Sequence, residues 1–261
     1  MRGAPLVHVG LPERYRDQTG ELLGQQIDRV DTHGKHLLIV LSGGQTLHCH
    51  ALMFGSWQFG RPGMRPRKPE KSVRLRLRTA DREAIFFTGP VVELLTPEER
   101  STHPRLTALG PDLLQPGFDR DEVWRRLMQR SIQSLTVAEA VLDQTVIAGI
   151  GNIYKSEGLF LSGIDPRSPT GELERPRIEH LWSTLIPLMT NGARQSGPVI
   201  TRTIPAGGRH RKPAPADRHW VYQRRGKNCY LCNTGIRMIR QGKNRRTTFF
   251  CPLCQKPSKE P

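Results

Sequence analysis

Two cysteine pairs, Cys229-x2-Cys232 and Cys251-x2-Cys254, stand eighteen residues apart. A two-residue gap lets a tight turn aim both sulfurs at one ion, and two such turns close a tetrahedron. Four thiolates leave no open position, so the pattern predicts one structural zinc ion rather than a catalytic one. Between the pairs lie Arg237, Arg240, Lys243, Arg245 and Arg246 with no acid among them, then Thr247-Thr248-Phe249-Phe250. A β-hairpin with a basic tip aimed at phosphates fits this stretch better than a merely solvated face. The fifth cysteine, Cys49, is far away in a strand pattern and reads as a core thiol.

A second candidate is Gly149-Ile150-Gly151-Asn152. Two residues without side chains let a backbone approach something closely, and Asn152 stands where a helix opens. Helix N-termini offer unpaired N–H groups and the positive end of a dipole, so a phosphate can dock there. An ordinary junction with Asn152 as N-cap explains the same four residues.

The elements that must carry these groups change character along the chain. Short apolar, β-branched segments predict strands at Ile27–Val30, His36–Leu41, Thr46–His50, Val73–Thr79 and Ala84–Phe87, with Ser42-Gly43-Gly44 as a hairpin turn, hence an antiparallel β domain. Gly60–Lys71, rich in Pro, Gly and Arg, predicts a long loop. After Pro97 the periodicity is helical: Glu122–Met128 continued by Val137–Leu142, a helix from the glycine turn through Phe160, and a third over roughly Glu172–Met189 that Pro187 ends or kinks. Ile204–Asp217 predicts a basic linker. The resulting division is 1–98, 99–200 and 201–261.

The 261 residues carry a formal charge of +16. Residues 1–200 hold 25 basic and 22 acidic side chains, whereas 201–261 hold 15 and 2, so the last quarter nets +13. Such asymmetry points to a polyanionic partner. No apolar run approaches the roughly 18 residues of a membrane span, and the start lacks a signal-peptide pattern. The expectation is a cytoplasmic protein that engages no membrane.

Four strings, in order, resemble the formamidopyrimidine-DNA glycosylase and endonuclease VIII family. Gly34-Lys35-His36-Leu37-Leu38 is similar to its lysine-bearing strand, and His50-Ala51-Leu52-Met53-Phe54-Gly55-Ser56-Trp57 to its DNA-wedging loop. Leu142-Asp143-Gln144 through Ala148–Tyr154, Glu157–Phe160 and Gly163-Ile164 resembles its helix–two-turn–helix module. The four-cysteine segment with Arg246–Cys251 resembles its zinc finger. The resemblance implies an α+β fold: an N-terminal antiparallel β-sandwich, then a helical domain with a zinc-finger β-hairpin.

It also implies a base-excision glycosylase with abasic-site lyase activity, working as a monomer on double-stranded DNA with oxidised bases or abasic sites. Lys35 would contact phosphate beside a flipped nucleotide and assist strand cleavage. Leu52, Met53 and Phe54 would fill the vacated stack, and Asn152 and Arg246 would hold the flanking phosphates. Glu157 would orient neighbouring groups. Leu75–Asp81, Glu93–Glu98 and Thr102-His103-Pro104 are closer to the endonuclease VIII branch, and residues 81–90 lack the Arg-Phe-Gly element of the other; that branch implies oxidised pyrimidines as substrates.

The family's nucleophile is a terminal proline followed by glutamate, whereas this sequence begins Met1-Arg2-Gly3. The expectation is a start codon further upstream, an active native enzyme, and no glycosylase or lyase activity in the 261 residues alone. A zinc-dependent, non-catalytic binder of damaged DNA is the alternative.

Overall fold

In β4 (Thr46–His50), strand alternation sends Leu47 and Cys49 to one side and Thr46, His48 and His50 to the other, and all five are buried. Leu47 and Cys49 join a core with Ile39, Leu41, Val92, Leu75, Leu77 and Phe86. The opposite side is covered by α1 (Pro97–Thr102) and by His103, which precedes α2 (Pro104–Thr107): Arg100 donates to Thr46 Oγ1 at 3.3 Å, and the His103 ring sits edge-on to His48. Both faces of β4 are therefore buried, the apolar one in the core and the polar one against partners that satisfy its side chains.

The computed structural model describes residues 1–132, 134–195, 199–202, 214 and 217–257. It forms two compact units, Met1–Ala108 and Leu109–Pro261. In the first, β2 (Ile27–His33), β3 (His36–Leu41), β4 and β8 (Val91–Leu95) make one antiparallel sheet in the order β2-β3-β4-β8. The second sheet runs β1-β6-β7-β5, from β1 (His8–Gly10), β5 (Ser56–Gly60), β6 (Val73–Arg78) and β7 (Glu83–Phe87). Residues from both sheets share the core, so the unit is a sandwich. β1, β5 and β8 extend the five predicted strands.

The second unit packs α3 (Arg120–Ser131), α4 (Val137–Ala140), α5 (Asn152–Leu161) and α6 (Arg175–Arg194) around Leu127, Val141, Ile150, Leu159, Trp182 and Leu185. Val137–Leu142 is not a continuation of α3; its short helix has its own capping box from Thr136 and Glu139. α6 begins three residues later than predicted and continues past Pro187 to Arg194. Pro187 and Ser183, whose carbonyl the proline leaves without its helical donor, are both exposed, so water can serve that carbonyl. Gly158 allows close packing, because a Cβ there would stand 2.6 Å from Leu185 Cδ2. A two-stranded hairpin, β9 (Arg237–Gln241) with β10 (Arg246–Phe250), completes the unit. Most of the predicted linker Ile204–Asp217 lies outside the described residues. The α+β expectation holds.

Candidate functional site

Lys35 occupies the two-residue turn between β2 and β3, where His33 faces His36 across the ladder. Gly34 supplies the positive φ (59°) that such a turn requires at its first position. The lysine is therefore in a turn beside a strand, and its side chain is exposed. His36 pairs across the sheet with His50, the last residue of β4, so this turn and the loop leaving β4 lie at the same end of the sheet.

That loop, Ala51–Gly55, is a tight turn closed by Gly55 N–H donating to the Ala51 carbonyl at 2.8 Å. A Cβ on Gly55 would stand 2.5 Å from Ala51 Cα, which explains the glycine. Leu52 takes a left-handed φ of 46°, and its N–H donates to His50 Nδ1 at 3.0 Å. On the other flank the Phe54 carbonyl accepts from Thr88 Oγ1 at 2.7 Å and from Lys68 Nζ at 3.4 Å. The result is a braced projection on which Leu52, Met53 and Phe54 are 63, 71 and 70% exposed.

Behind the Lys35 turn runs a chain of imidazoles that the sequence reading missed. Glu93 Oε2 contacts His48 Nδ1 at 2.8 Å and His103 Nε2 at 3.1 Å, and His48 Nε2 contacts His36 Nδ1 at 2.7 Å. A carboxylate only accepts, so both nitrogens facing it donate; neutral His48 then accepts at Nε2 from His36 Nδ1–H. Burial pushes the His36 pKa down to about 3, with a further push from its imidazole neighbours His50 and His48 and from the Lys35 charge. His48 and His50 are lowered too, each chiefly by burial. The available signal was the His48-x-His50 spacing, which places both rings on one strand face.

In the second unit, Gly149 has a φ of 100°, and its N–H donates to Gln144 Oε1 at 3.1 Å. Gly151, not Asn152, is the N-cap of α5; its φ is −110°, and nothing lies within 4 Å of where its Cβ would be. Neither strain nor packing therefore demands glycine at 151, and the approach to the helix start is left open. Asn152 is the first residue of α5. Its Nδ2 donates to Thr247 Oγ1 at 3.3 Å, bringing the helix start beside β10, where exposed Arg246 opens the strand opposite Gln241.

Glu157, fully buried in α5, gathers the segment leading to the finger. Its Oε2 accepts from Trp220 N–H at 2.8 Å and from the Thr201 hydroxyl, and its Oε1 accepts from the Val221 and Tyr222 N–H groups at 2.9 and 2.8 Å. Its work is to hold backbone.

The four cysteine sulfurs lie within 4.8 Å of one another. Cys229 Sγ is 3.8 Å from Cys254 Sγ, and Cys232 Sγ is 3.3 Å from Cys251 Sγ. Thiolates around zinc at about 2.3 Å stand about 3.8 Å apart, so the cluster fits the ion with little adjustment. Leu231 N–H points at Cys229 Sγ (3.4 Å), a hydrogen bond that favours the thiolate. Cys49 stands apart, in the sandwich core, and burial pushes its thiol up to about 12.

Residues 6–91 match the formamidopyrimidine-DNA glycosylase N-terminal domain and 109–203 the H2TH domain of the same family. The probable endonuclease 8 2 of Streptomyces coelicolor is 38% identical over 244 residues, 92% of this chain and 83% of that protein. Endonuclease 8 1 of Mycobacterium tuberculosis is 31% identical over 258 residues, covering 97% and 92%. In fold, the chain is similar to Lactococcus lactis formamido-pyrimidine DNA glycosylase bound to DNA containing an AP site, with a TM-score of 0.77 at 23% identity over 98% of this chain and 94% of that one. No helix among the described residues is long and apolar enough to cross a membrane. With both domains matched in order and the cysteine cluster in place, the chain belongs to the formamidopyrimidine-DNA glycosylase and endonuclease 8 family, DNA glycosylases of base-excision repair.

Proposed function

We propose that this protein excises oxidised pyrimidines from duplex DNA and cleaves the resulting abasic site by β-elimination. The observation that carries the reading is the braced turn at Leu52, Met53 and Phe54. Three large apolar side chains held in water serve no purpose for the sandwich itself, and they suit a wedge that enters the gap left by a flipped nucleotide. Lys35, exposed at the same end of the sheet, would meet a phosphate beside that nucleotide. Asn152 and Arg246 would hold the flanking phosphates, the arginine through its planar two-pronged donor. One zinc ion held by Cys229, Cys232, Cys251 and Cys254 would fix the hairpin that presents Arg246.

The pyrimidine preference rests on the similarity to endonuclease 8 proteins and on the stretch 81–90. There Phe86 and Phe87 are fully buried, so the segment offers no aromatic side chain to a DNA stack.

In the chemistry that this reading requires, an amine attacks C1′ and the base leaves. The iminium that forms acidifies the C2′ proton, and its removal breaks the C3′–O bond. Borohydride reduces that iminium to a stable amine, which gives the test. A version of the chain extended at its start with the Pro-Glu that the family resemblance implies is expected to form a covalent adduct on an abasic duplex. If a folded, extended protein yields no adduct, the lyase reading fails and binding of damaged DNA without chemistry takes its place.

A further inference from the structure

Lys155 is 1% exposed, which is unusual for an ammonium group, and both hydrogen-bond acceptors it reaches are neutral. Its Nζ donates to Asn152 Oδ1 at 2.8 Å and to the Thr247 carbonyl at 3.1 Å. The charged groups that bear on it are Arg246 of β10, which repels it, and Glu139 of α4, which attracts it. Burying a cation against neutral partners is unfavourable, and a residue needed only to fill this space could be Met or Leu.

The cation does something that an apolar residue cannot. An ammonium only donates, so it holds the Asn152 carboxamide with its oxygen inward. Nδ2 is thereby turned the other way; one of its hydrogens reaches Thr247 Oγ1. A free asparagine could rotate its amide and present oxygen to a phosphate, which would repel it. We propose that Lys155 is a positioning residue for phosphate recognition, locking Asn152 in its donor orientation and tying the start of α5 to the strand that begins at Arg246. The inference rests on the reading that Asn152 holds a backbone phosphate.

Binding to a duplex with a tetrahydrofuran abasic analogue, which cannot be cleaved, tests it. Asn152→Ala and Lys155→Met are each expected to weaken binding roughly tenfold, the loss of one charge-assisted contact. The double variant should be no weaker than either single one, because the lysine acts through the asparagine. Burial, with Arg246 beside it, lowers the Lys155 pKa to about 8, so wild-type affinity should fall as pH rises from 8 to 9.5, and Lys155→Met should not show that fall.

Wild-type-like binding by Lys155→Met, or losses that add in the double variant, would overturn the inference while a weakened Asn152→Ala leaves the underlying reading standing. Wild-type-like binding by Asn152→Ala would overturn that reading itself. Zinc content and melting temperature of each variant show whether the finger is intact. Should Lys155→Met fail to fold, Lys155→Leu in the same titration decides, and wild-type-like binding by that variant overturns the inference.

Discussion

His36, His48 and His50 are held neutral by the fold, and this makes the first unit sensitive to acid. Their folded pKa values lie below the ordinary 6.5, that of His36 at about 3. As pH falls through 6.5 the unfolded chain takes up protons that the folded one refuses. Stability is therefore fully present above about pH 6.5 and is lost progressively toward pH 3. Thermal melts between pH 7.5 and 4.5 should show a continuous fall in Tm, shallower in His36→Gln; a Tm that stays level down to pH 5 contradicts the neutral chain. Phe54 belongs to the same scale but to function. Its ring is exposed, so Phe54→Ala should leave Tm within a degree or two while weakening binding of an abasic duplex by roughly 1–3 kcal/mol, the size of one base–aromatic stack. Equal affinity of the two proteins in a titration would remove the wedge role.

Glu157 shows how an element is tied to a segment far along the chain. One carboxylate on α5 accepts three backbone N–H groups at 220–222 and the Thr201 hydroxyl. In Glu157→Gln an amide NH2 would confront N–H donors in a buried site, at an expected cost of about 2–4 kcal/mol. Differential scanning calorimetry should find the second unit's transition lowered, and an unchanged transition would show that the segment is held by other contacts.

How far these elements were legible depends on how local their cause is. The bounds of β3 follow from an unbroken apolar run and those of β4 from alternation, each within a few residues, and the four-cysteine cluster follows from a spacing that is itself the geometry. β5 was not singled out, since Ser56–Gly60 becomes a strand by pairing with β7. The imidazole chain joins residues 36, 48, 93 and 103, whose meeting is set by strand register and by the packing of the segment after α1. The same holds for Lys155, whose partner Thr247 lies 92 residues on. The exposed turn at Leu52–Phe54 is legible because Gly55 marks it, whereas the braces from Thr88 and Lys68 are not.

At the scale of the whole molecule, the basic charge and the four-cysteine cluster fall in the same stretch of chain. Residues 201–261 net +13, and within them Val221, Ile236 and Phe249 share a small core with Cys229 and Cys251, to which α5 contributes Phe160. A core that small would gain much of its stability from a zinc ion held by the four cysteines, as small cores with few apolar residues generally do from a metal. Chelation should therefore unfold the hairpin and abolish DNA binding while the sandwich keeps its own melting transition; binding indifferent to chelation would discard the finger. The salt dependence then apportions the charge. Each phosphate neutralised adds about 0.9 to the slope of log K against log salt, so Arg246→Ala should lower both the affinity and that slope, the slope by about one. An alanine substitution of exposed Phe54 should lower affinity with the slope unchanged, because an apolar wedge displaces no counterions. Measuring both variants across the same salt series separates grip from wedge, and a slope that Arg246→Ala leaves intact would place the phosphate contacts elsewhere on the basic segment.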